Sequence, residues 1–206
     1  MFAHALRKSY YYNLNRLFTP VLIEESNVPD ISHLKPKATG CFLAGSLVGR
    51  NIGKPATEKK LLPILARLID KAINEYNLTK EAIQAEKAET KMTFEEIIKR
   101  DQGQFIYTCT IIDHLENCIT TLTRIYKIKE KHLRHARNQN LIDIRDSIEH
   151  VDERIRDATN EPPVLNISED SLTVEIAGRS NGKISIKIKD IADEIVNLYN
   201  EIRTLL

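Results

Sequence analysis

The length, composition and charge of the chain set the first limits on its class. Its 206 residues fit one large domain, which can bury its core without disulfides or a structural metal. Thirty basic against twenty-nine acidic residues argue against a polycationic, histone-like nucleic-acid binder but allow a local basic patch. The three cysteines show no metal-type spacing, and no window approaches the roughly 20 apolar residues of a membrane span. We therefore expect a soluble, cytoplasmic protein with no cofactor, no metal and no membrane partner.

The N-terminal segment, residues 1–56, is expected to be irregular apart from one short helix near residues 3–18. The stretch from residue 19 to 55 holds four of the seven prolines and four of the seven glycines. Such dense punctuation favours loops and short extended pieces over a long helix. The apolar segment 41–49 is expected to pack against a core. Its glycines lack the spacing of a phosphate-binding loop, so nucleotide binding is not expected there.

Residues 57–157 are predicted to form the core of a helical bundle. A first helix begins at Thr57 and keeps one apolar face, until Asn77 and Thr79 punctuate it before a charged helix. The longest apolar-periodic run covers residues 104–133 and predicts the central core helix.

A further amphipathic helix is predicted over residues 141–157, with Asn140 as its cap. Apolar residues recur there in alternating steps of three and four, which is the spacing of one helix face. They are Leu141, Ile144, Ile148, Val151 and Ile155.

The C-terminal part, residues 164–206, differs in kind. Residues 171–177 and 183–189 alternate apolar and polar side chains around a turn rich in Gly and Asn, which predicts a β-hairpin. Asp190 is expected to cap a last amphipathic helix. Because an isolated hairpin is marginally stable in water, it should pack on the helical body, and we expect residues 1–206 to form a single domain.

One constellation on the 141–157 helix could carry chemistry. The sequence IRDSIEHVDERI contains Arg145, followed directly by Asp146, and then His150, with four residues between Arg145 and His150. On a helix, Asp146 and His150 are i,i+4 neighbours, so the carboxylate can hold the imidazole in one tautomer and favour its charged form. Arg145 presents a planar donor fork that suits phosphate. These residues are therefore candidates for proton transfer and phosphate binding.

This motif resembles that of the HEPN superfamily (higher eukaryotes and prokaryotes nucleotide-binding), whose active members carry Arg, a polar residue and then His on a late helix of an α-helical bundle. The match covers at best residues 57–157, and Asp is a less common second residue than Asn. The resemblance implies a metal-independent endoribonuclease with its site in a homodimer. It implies that His150 is the general acid/base, Arg145 the phosphate clamp and Asp146 the orienting residue. It further suggests a toxin or defence protein regulated by an antitoxin or another partner protein.

Two groups of residues are expected to support such a site. The densest basic run could guide an RNA backbone towards the motif, but a solvated helix end that the helix dipole favours is the simpler interpretation. Its candidate RNA-binding residues are Lys127, Lys131, Arg134 and Arg137. Asp113 and Glu116 interrupt the apolar face of the central helix and could lie behind the motif, or could be ordinary surface positions.

A second interpretation is left open by the sequence. Arg145 and Glu149 form an i,i+4 pair of opposite charge, so the same residues could be a solvated helix face. The alternative function is then a helical dimerisation or RNA-binding module that keeps the scaffold without catalysis.

Overall fold

A computed structural model describes residues 23, 25–49, 52–89, 104–133, 138–149, 164–167, 170–175 and 183–206. Within these ranges the chain is mainly α-helical, as predicted. The predicted helix at residues 3–18 and the second half of the 141–157 helix lie outside the described residues.

The first described helix, α1, covers Ala38–Leu47 and follows a 3₁₀ turn at Glu25–Asn27. The expectation of loops and extended pieces is therefore wrong for this stretch. The reason is a cap from a distant residue: the Asp70 carboxylate accepts hydrogen bonds from the backbone N–H groups of Ala38 and Thr39, each at 2.9 Å. These bonds satisfy donors that a helix start otherwise leaves unpaired.

Helix α2 is continuous over Ala56–Glu89, a length of 34 residues. The predicted interruption at Asn77 and Thr79 is wrong. Thr79 is fully buried, and its hydroxyl donates a 3.0 Å hydrogen bond to the Glu75 carbonyl four residues earlier. This bond keeps the polar side chain satisfied inside the helix, so the threonine does not end it.

Helix α3 covers Gln104–Leu133, so the prediction of a central helix at 104–133 is confirmed. It packs along α2 and carries a fully buried apolar stripe. Burial of such a stripe is the main force that holds two helices together. The stripe consists of Ile111, Leu115, Ile119, Leu122 and Ile125.

Helix α4 covers Gln139–Glu149 and begins two residues before the predicted start. Its cap is Asn138, whose Oδ1 accepts a 3.3 Å hydrogen bond from the Leu141 N–H, and not Asn140. Leu141 and Ile144 are fully buried, and they hold α4 between α3 and the third strand described below.

The C-terminal part contains three antiparallel strands in the order β1 (Val164–Ile167), β2 (Ser171–Glu175) and β3 (Lys183–Lys187). The predicted hairpin is confirmed as β2 and β3, with Thr173 opposite Ser185. Strand β1 was not predicted, and it pairs with β2 with Asn166 opposite Thr173.

The last helix, α5, covers Ile188–Leu205 and begins directly after β3. Asp190 is therefore not its cap but an acidic residue of its first turn. Its negative charge still interacts favourably with the helix dipole there. Ile186 of β3 and Ile188 of α5 join the same buried cluster as the residues of α2 and α3. This is how the sheet is fixed to the helical body. Among the described residues, no helix is long and apolar enough to cross a bilayer.

Candidate functional site

The first two residues of the predicted motif form an ion pair on α4. The Arg145 Nη1 donates to the Asp146 Oδ1 at 3.0 Å. The Arg145 side chain is 17% exposed, whereas that of Asp146 is 46% exposed. The guanidinium is thus largely withdrawn from water while the carboxylate next to it faces solvent.

Water screens this ion pair less than it screens an ion pair on an open surface, because Arg145 is largely buried. Arg145 follows the fully buried Ile144, so its backbone is anchored to the core at the adjacent position. A guanidinium cannot shed its charge by losing a proton, so a largely buried one keeps a strong local positive field. The Asp146 carboxylate accepts a hydrogen bond from this guanidinium and offsets part of its charge.

The third residue of the motif, His150, lies outside the described residues, and so does the side chain of Glu149. The contact between Asp146 and His150 and the pairing of Arg145 with Glu149 therefore stay predictions. The described contact is that of Asp146 with Arg145, whose Nη1 donates to the Asp146 Oδ1.

The basic run on α3 divides into two kinds of lysine. Lys127 and Lys131 are exposed, as an RNA-binding face requires, and Arg124 lies exposed one turn before them. Lys129 instead points inward with 2% of its side chain exposed, and its Nζ donates to the Glu201 carboxylate of α5. The same ammonium lies 5.6 Å from the centre of the Tyr126 ring. Arg134 and Arg137 lie outside the described residues.

The two acidic candidates behind the motif lie in the first half of α3. Asp113 is exposed and Glu116 is half-buried. Burial raises the pKa of the Glu116 carboxyl, and repulsion from Asp113 adds to the effect. A contact of either carboxylate with Arg145 stays a prediction.

One polar contact between the long helices was not predicted from the sequence. The His114 Nδ1 lies 2.8 Å from the Glu75 Oε2, and both side chains are mostly buried. A carboxylate-held imidazole is suited to proton transfer. Its thiol neighbour Cys118 is fully buried and donates to the Ala72 carbonyl at 3.6 Å. Burial, followed by the charge of Glu75, raises the pKa of that thiol well above its usual range, so Cys118 is no thiolate nucleophile.

The signal for this pair was present but ambiguous in the sequence. Glu75 and His114 each stand one residue away from a buried apolar position, Tyr76 and Leu115 respectively. A polar residue at the edge of an apolar stripe can face either solvent or a neighbouring helix, and periodicity alone does not decide between them.

No group of three or more His, Cys, Asp or Glu side chains within the described ranges could hold a metal ion. Comparison with known proteins adds no relative, because no family model, no curated protein and no solved structure matches the chain.

Proposed function

We propose that the protein is a metal-independent endoribonuclease of the HEPN type that acts as a homodimer. The observation that carries the proposal is the guanidinium of Arg145, which is largely buried on α4 and held by its neighbour Asp146 at 3.0 Å. A fixed positive charge beside the position of a histidine four residues further on provides the two functions that RNA cleavage needs. These are stabilisation of phosphate charge and transfer of a proton.

The proposed reaction uses the RNA as its own nucleophile. The 2′-oxygen attacks the adjacent phosphorus, the bond from phosphorus to the 5′-oxygen breaks, and a 2′,3′-cyclic phosphate remains. His150 moves the proton between the 2′-hydroxyl and the leaving 5′-oxygen, and Arg145 stabilises the negative charge that develops on the phosphoryl oxygens. Asp146 orients the imidazole through its second oxygen.

The position of the motif supports a dimer. Arg145 borders the buried face of α4, whereas the periodicity places His150 further round on the polar side, so one helix alone forms no cleft. Two copies that meet near the α4 helices would enclose a site between them. Asp146, which is nearly half exposed, would then lie at the contact. Static light scattering should give twice the chain mass of 23.6 kDa, and a monomer at micromolar concentration would argue against the enzyme.

The Arg145–Asp146 pair also supports the second candidate, an RNA-binding or dimerisation module without catalysis. If the carboxylate serves only to neutralise the guanidinium, the pair stabilises α4 and no orienting group is left for the histidine. The exposed Lys127 and Lys131 would then bind RNA through its phosphates alone. This candidate predicts affinity for RNA without cleavage.

The deciding experiment is incubation of the purified chain with mixed RNA in EDTA. We expect cleavage by the wild type, loss of cleavage in His150→Ala and Arg145→Ala, and residual cleavage in Asp146→Asn, because an amide still accepts a hydrogen bond. His150→Ala and Asp146→Asn should cost no more than about 1 kcal/mol of stability, as for other positions outside the apolar stripe. Arg145→Ala should cost more, because it removes a largely buried side chain and its ion pair with Asp146. The product ends should be 2′,3′-cyclic phosphates.

The matched control is His132→Ala, which removes an exposed histidine from α3 and should cleave like the wild type. Loss of wild-type cleavage in EDTA would point to a metal enzyme and to a different site. Binding without cleavage in every protein would favour the module. A role as toxin or defence protein, held in check by a partner protein, is part of the proposal and is tested by whether expression of the wild type, but not of His150→Ala, arrests growth.

A further inference from the structure

The exposed apolar side chains of the described residues are concentrated in one corner of the molecule. All of the large hydrophobic residues that are exposed there fall between Leu43 and Ile64, and Leu47 and Ile52 are 89% and 84% exposed. Elsewhere the apolar residues of the described helices are largely buried. We call α1, the turn that follows it and the first part of α2, residues 35–71, the basic corner. Its exposed apolar residues are Leu43, Leu47, Val48, Ile52 and Ile64.

The same segment is strongly basic in a chain that is otherwise acidic. Eight of the thirty basic residues and two of the twenty-nine acidic residues lie between positions 35 and 71. The segment therefore carries a formal charge of +6, which leaves −5 for the rest of a chain with net charge +1. The eight are Lys35, Lys37, Arg50, Lys54, Lys59, Lys60, Arg67 and Lys71.

Both acidic residues are counted in this charge, and neither is exposed. Asp70 binds the two N–H groups that begin α1, and Glu58 is half-buried in the first turn of α2. On α2 the exposed residues Lys60, Ile64 and Arg67 follow at steps of four and three, so one helix face mixes apolar and basic side chains.

The turn between α1 and α2 depends on two glycines and leaves its apolar side chains exposed. Gly49 and Gly53 have φ angles of +74° and +95°, which L residues with a Cβ rarely adopt. The Ile52 N–H donates to the Gly49 carbonyl at 2.9 Å, and the Lys54 Nζ donates to the Leu205 carbonyl at the end of α5. The turn is thus fixed at both ends while Val48 and Ile52 remain exposed.

The charge of the basic corner decides which occupant fits it. A second copy of this face would bring like charges together. Residues 1–22 contain three basic and no acidic residues, so they would be repelled as well. RNA would neutralise the lysines, but its phosphates give no reason to expose leucine and isoleucine side chains beside them. The occupant must be both anionic and apolar.

We propose that the basic corner binds the surface of an anionic phospholipid bilayer. The exposed basic side chains, such as Lys59 and Lys60, would lie among the headgroups while Leu47, Val48 and Ile52 enter the boundary with the acyl chains. Such a contact lies on the bilayer and does not span it. The proposal is independent of the ribonuclease motif on α4.

The test is sedimentation of the full chain with large unilamellar vesicles of two compositions. One is phosphatidylcholine alone, and the other is two parts phosphatidylcholine to one part phosphatidylglycerol. We expect binding to the anionic vesicles only, and weaker binding when salt rises from about 0.1 M to about 0.5 M. Lys59→Glu/Lys60→Glu should weaken binding at least about thirtyfold, since two surface charges contribute about 1 kcal/mol each and 1.4 kcal/mol is tenfold.

A second variant separates the apolar contribution from the charge. Leu47→Ser/Ile52→Ser keeps every basic residue and should weaken binding at least about tenfold, because it removes the side chains that enter the bilayer. The matched control, Lys127→Glu/Lys131→Glu, removes the same charge from exposed positions on α3 and should bind vesicles like the wild type. Circular dichroism should show the same helicity in all four proteins.

Three results would overturn the proposal: no binding to anionic vesicles at low salt, equal binding to phosphatidylcholine alone, or unchanged binding in both corner variants. If Lys59→Glu/Lys60→Glu lost affinity for an RNA oligonucleotide but still bound vesicles, the corner would be assigned to RNA. This result would likewise reject the bilayer.

Discussion

Two basic surfaces of this protein differ in what accompanies their charge. The basic corner combines lysines with exposed Leu47 and Ile52, whereas the face of α3 that carries Lys127 and Lys131 sets its lysines among polar neighbours. A phosphate backbone requires only charge, while a bilayer rewards charge and apolar area together. Net charge alone would treat the two surfaces as equivalent, and the exposed apolar side chains separate them.

The α3 surface also shows that position in a basic run does not make a lysine a binding residue. Lys127, Lys129 and Lys131 follow one another at every second position, yet the middle one points to the opposite side of the helix. There it meets Glu201 of α5 in a largely buried ion pair. The run therefore contributes one lysine to the stability of the fold and two to the surface.

The largest effect, a loss of stability, is expected from Glu201→Ala, which removes the partner of the buried lysine. It would leave the Lys129 ammonium buried without its carboxylate, whose own side chain is 35% exposed. We expect a loss of roughly 2 kcal/mol, below the usual 3–5 kcal/mol for a fully buried pair because solvent screens Glu201 and its loss relieves repulsion on the half-buried Glu194. The change in the free energy of unfolding is measured by urea unfolding, with circular dichroism as the signal.

Lys129→Met is the companion variant to Glu201→Ala. It removes the buried charge but keeps the length of the side chain, so it should cost clearly less than Glu201→Ala. Affinity for RNA should be unchanged in both proteins. A drop in affinity for RNA in Lys129→Met at unchanged stability would show that Lys129 belongs to the binding surface after all.

A smaller effect is expected from Lys127→Ala/Lys131→Ala, and it falls on binding and not on stability. If each lysine neutralises one phosphate of single-stranded RNA, the slope of log affinity against log salt should decrease by about 1.4 in all. Stability should stay within about 0.5 kcal/mol, as for exposed positions. Fluorescence anisotropy with a labelled oligonucleotide at several salt concentrations measures the slope.

The same measurement of RNA affinity against salt on Lys59→Glu/Lys60→Glu shows whether the basic corner also contributes to RNA binding. An unchanged slope there, together with a reduced slope in the α3 variant, would assign RNA to α3 alone. If the α3 variant kept the full slope, the RNA-binding face predicted from the basic run would lie elsewhere.

The sequence was sufficient where the physical signal is local. Apolar periodicity predicted α3 at its observed bounds, and alternation predicted β2 and β3, since each pattern reports the face that the element buries. It failed where a partner far along the chain decides the outcome. Helix α1 depends on Asp70, and the burial of Lys129 depends on Glu201, which follows it by 72 positions.

The candidate site shows the same limit. Residue types and spacing proposed Arg145, Asp146 and His150 as a unit, and the structure adds the ion pair between the first two. Adjacent residues on a helix point in different directions, so spacing alone did not predict that Arg145 would bend towards Asp146. The partner of Lys129 and the pairing of His114 with Glu75 likewise required the packing of helices against one another.

The smallest effect concerns the support of the basic corner, and Asp70→Ala measures it. The Asp70 carboxylate is the acceptor for the first two N–H groups of α1, so its removal should cost about 1 kcal/mol, the usual effect of losing a helix cap. Without this cap the first turn of α1 should open more often, and hydrogen exchange at Cys41 and Phe42 should quicken. Because α1 carries Leu43 and Leu47, binding to anionic vesicles should weaken even though the change raises the formal charge of the corner from +6 to +7. Asp193→Ala, at an exposed position of α5, is the control and should alter none of these quantities. If Asp70→Ala lowered stability but left vesicle binding intact, the bilayer would be recognised by the turn and α2 alone, and α1 would be no part of the surface.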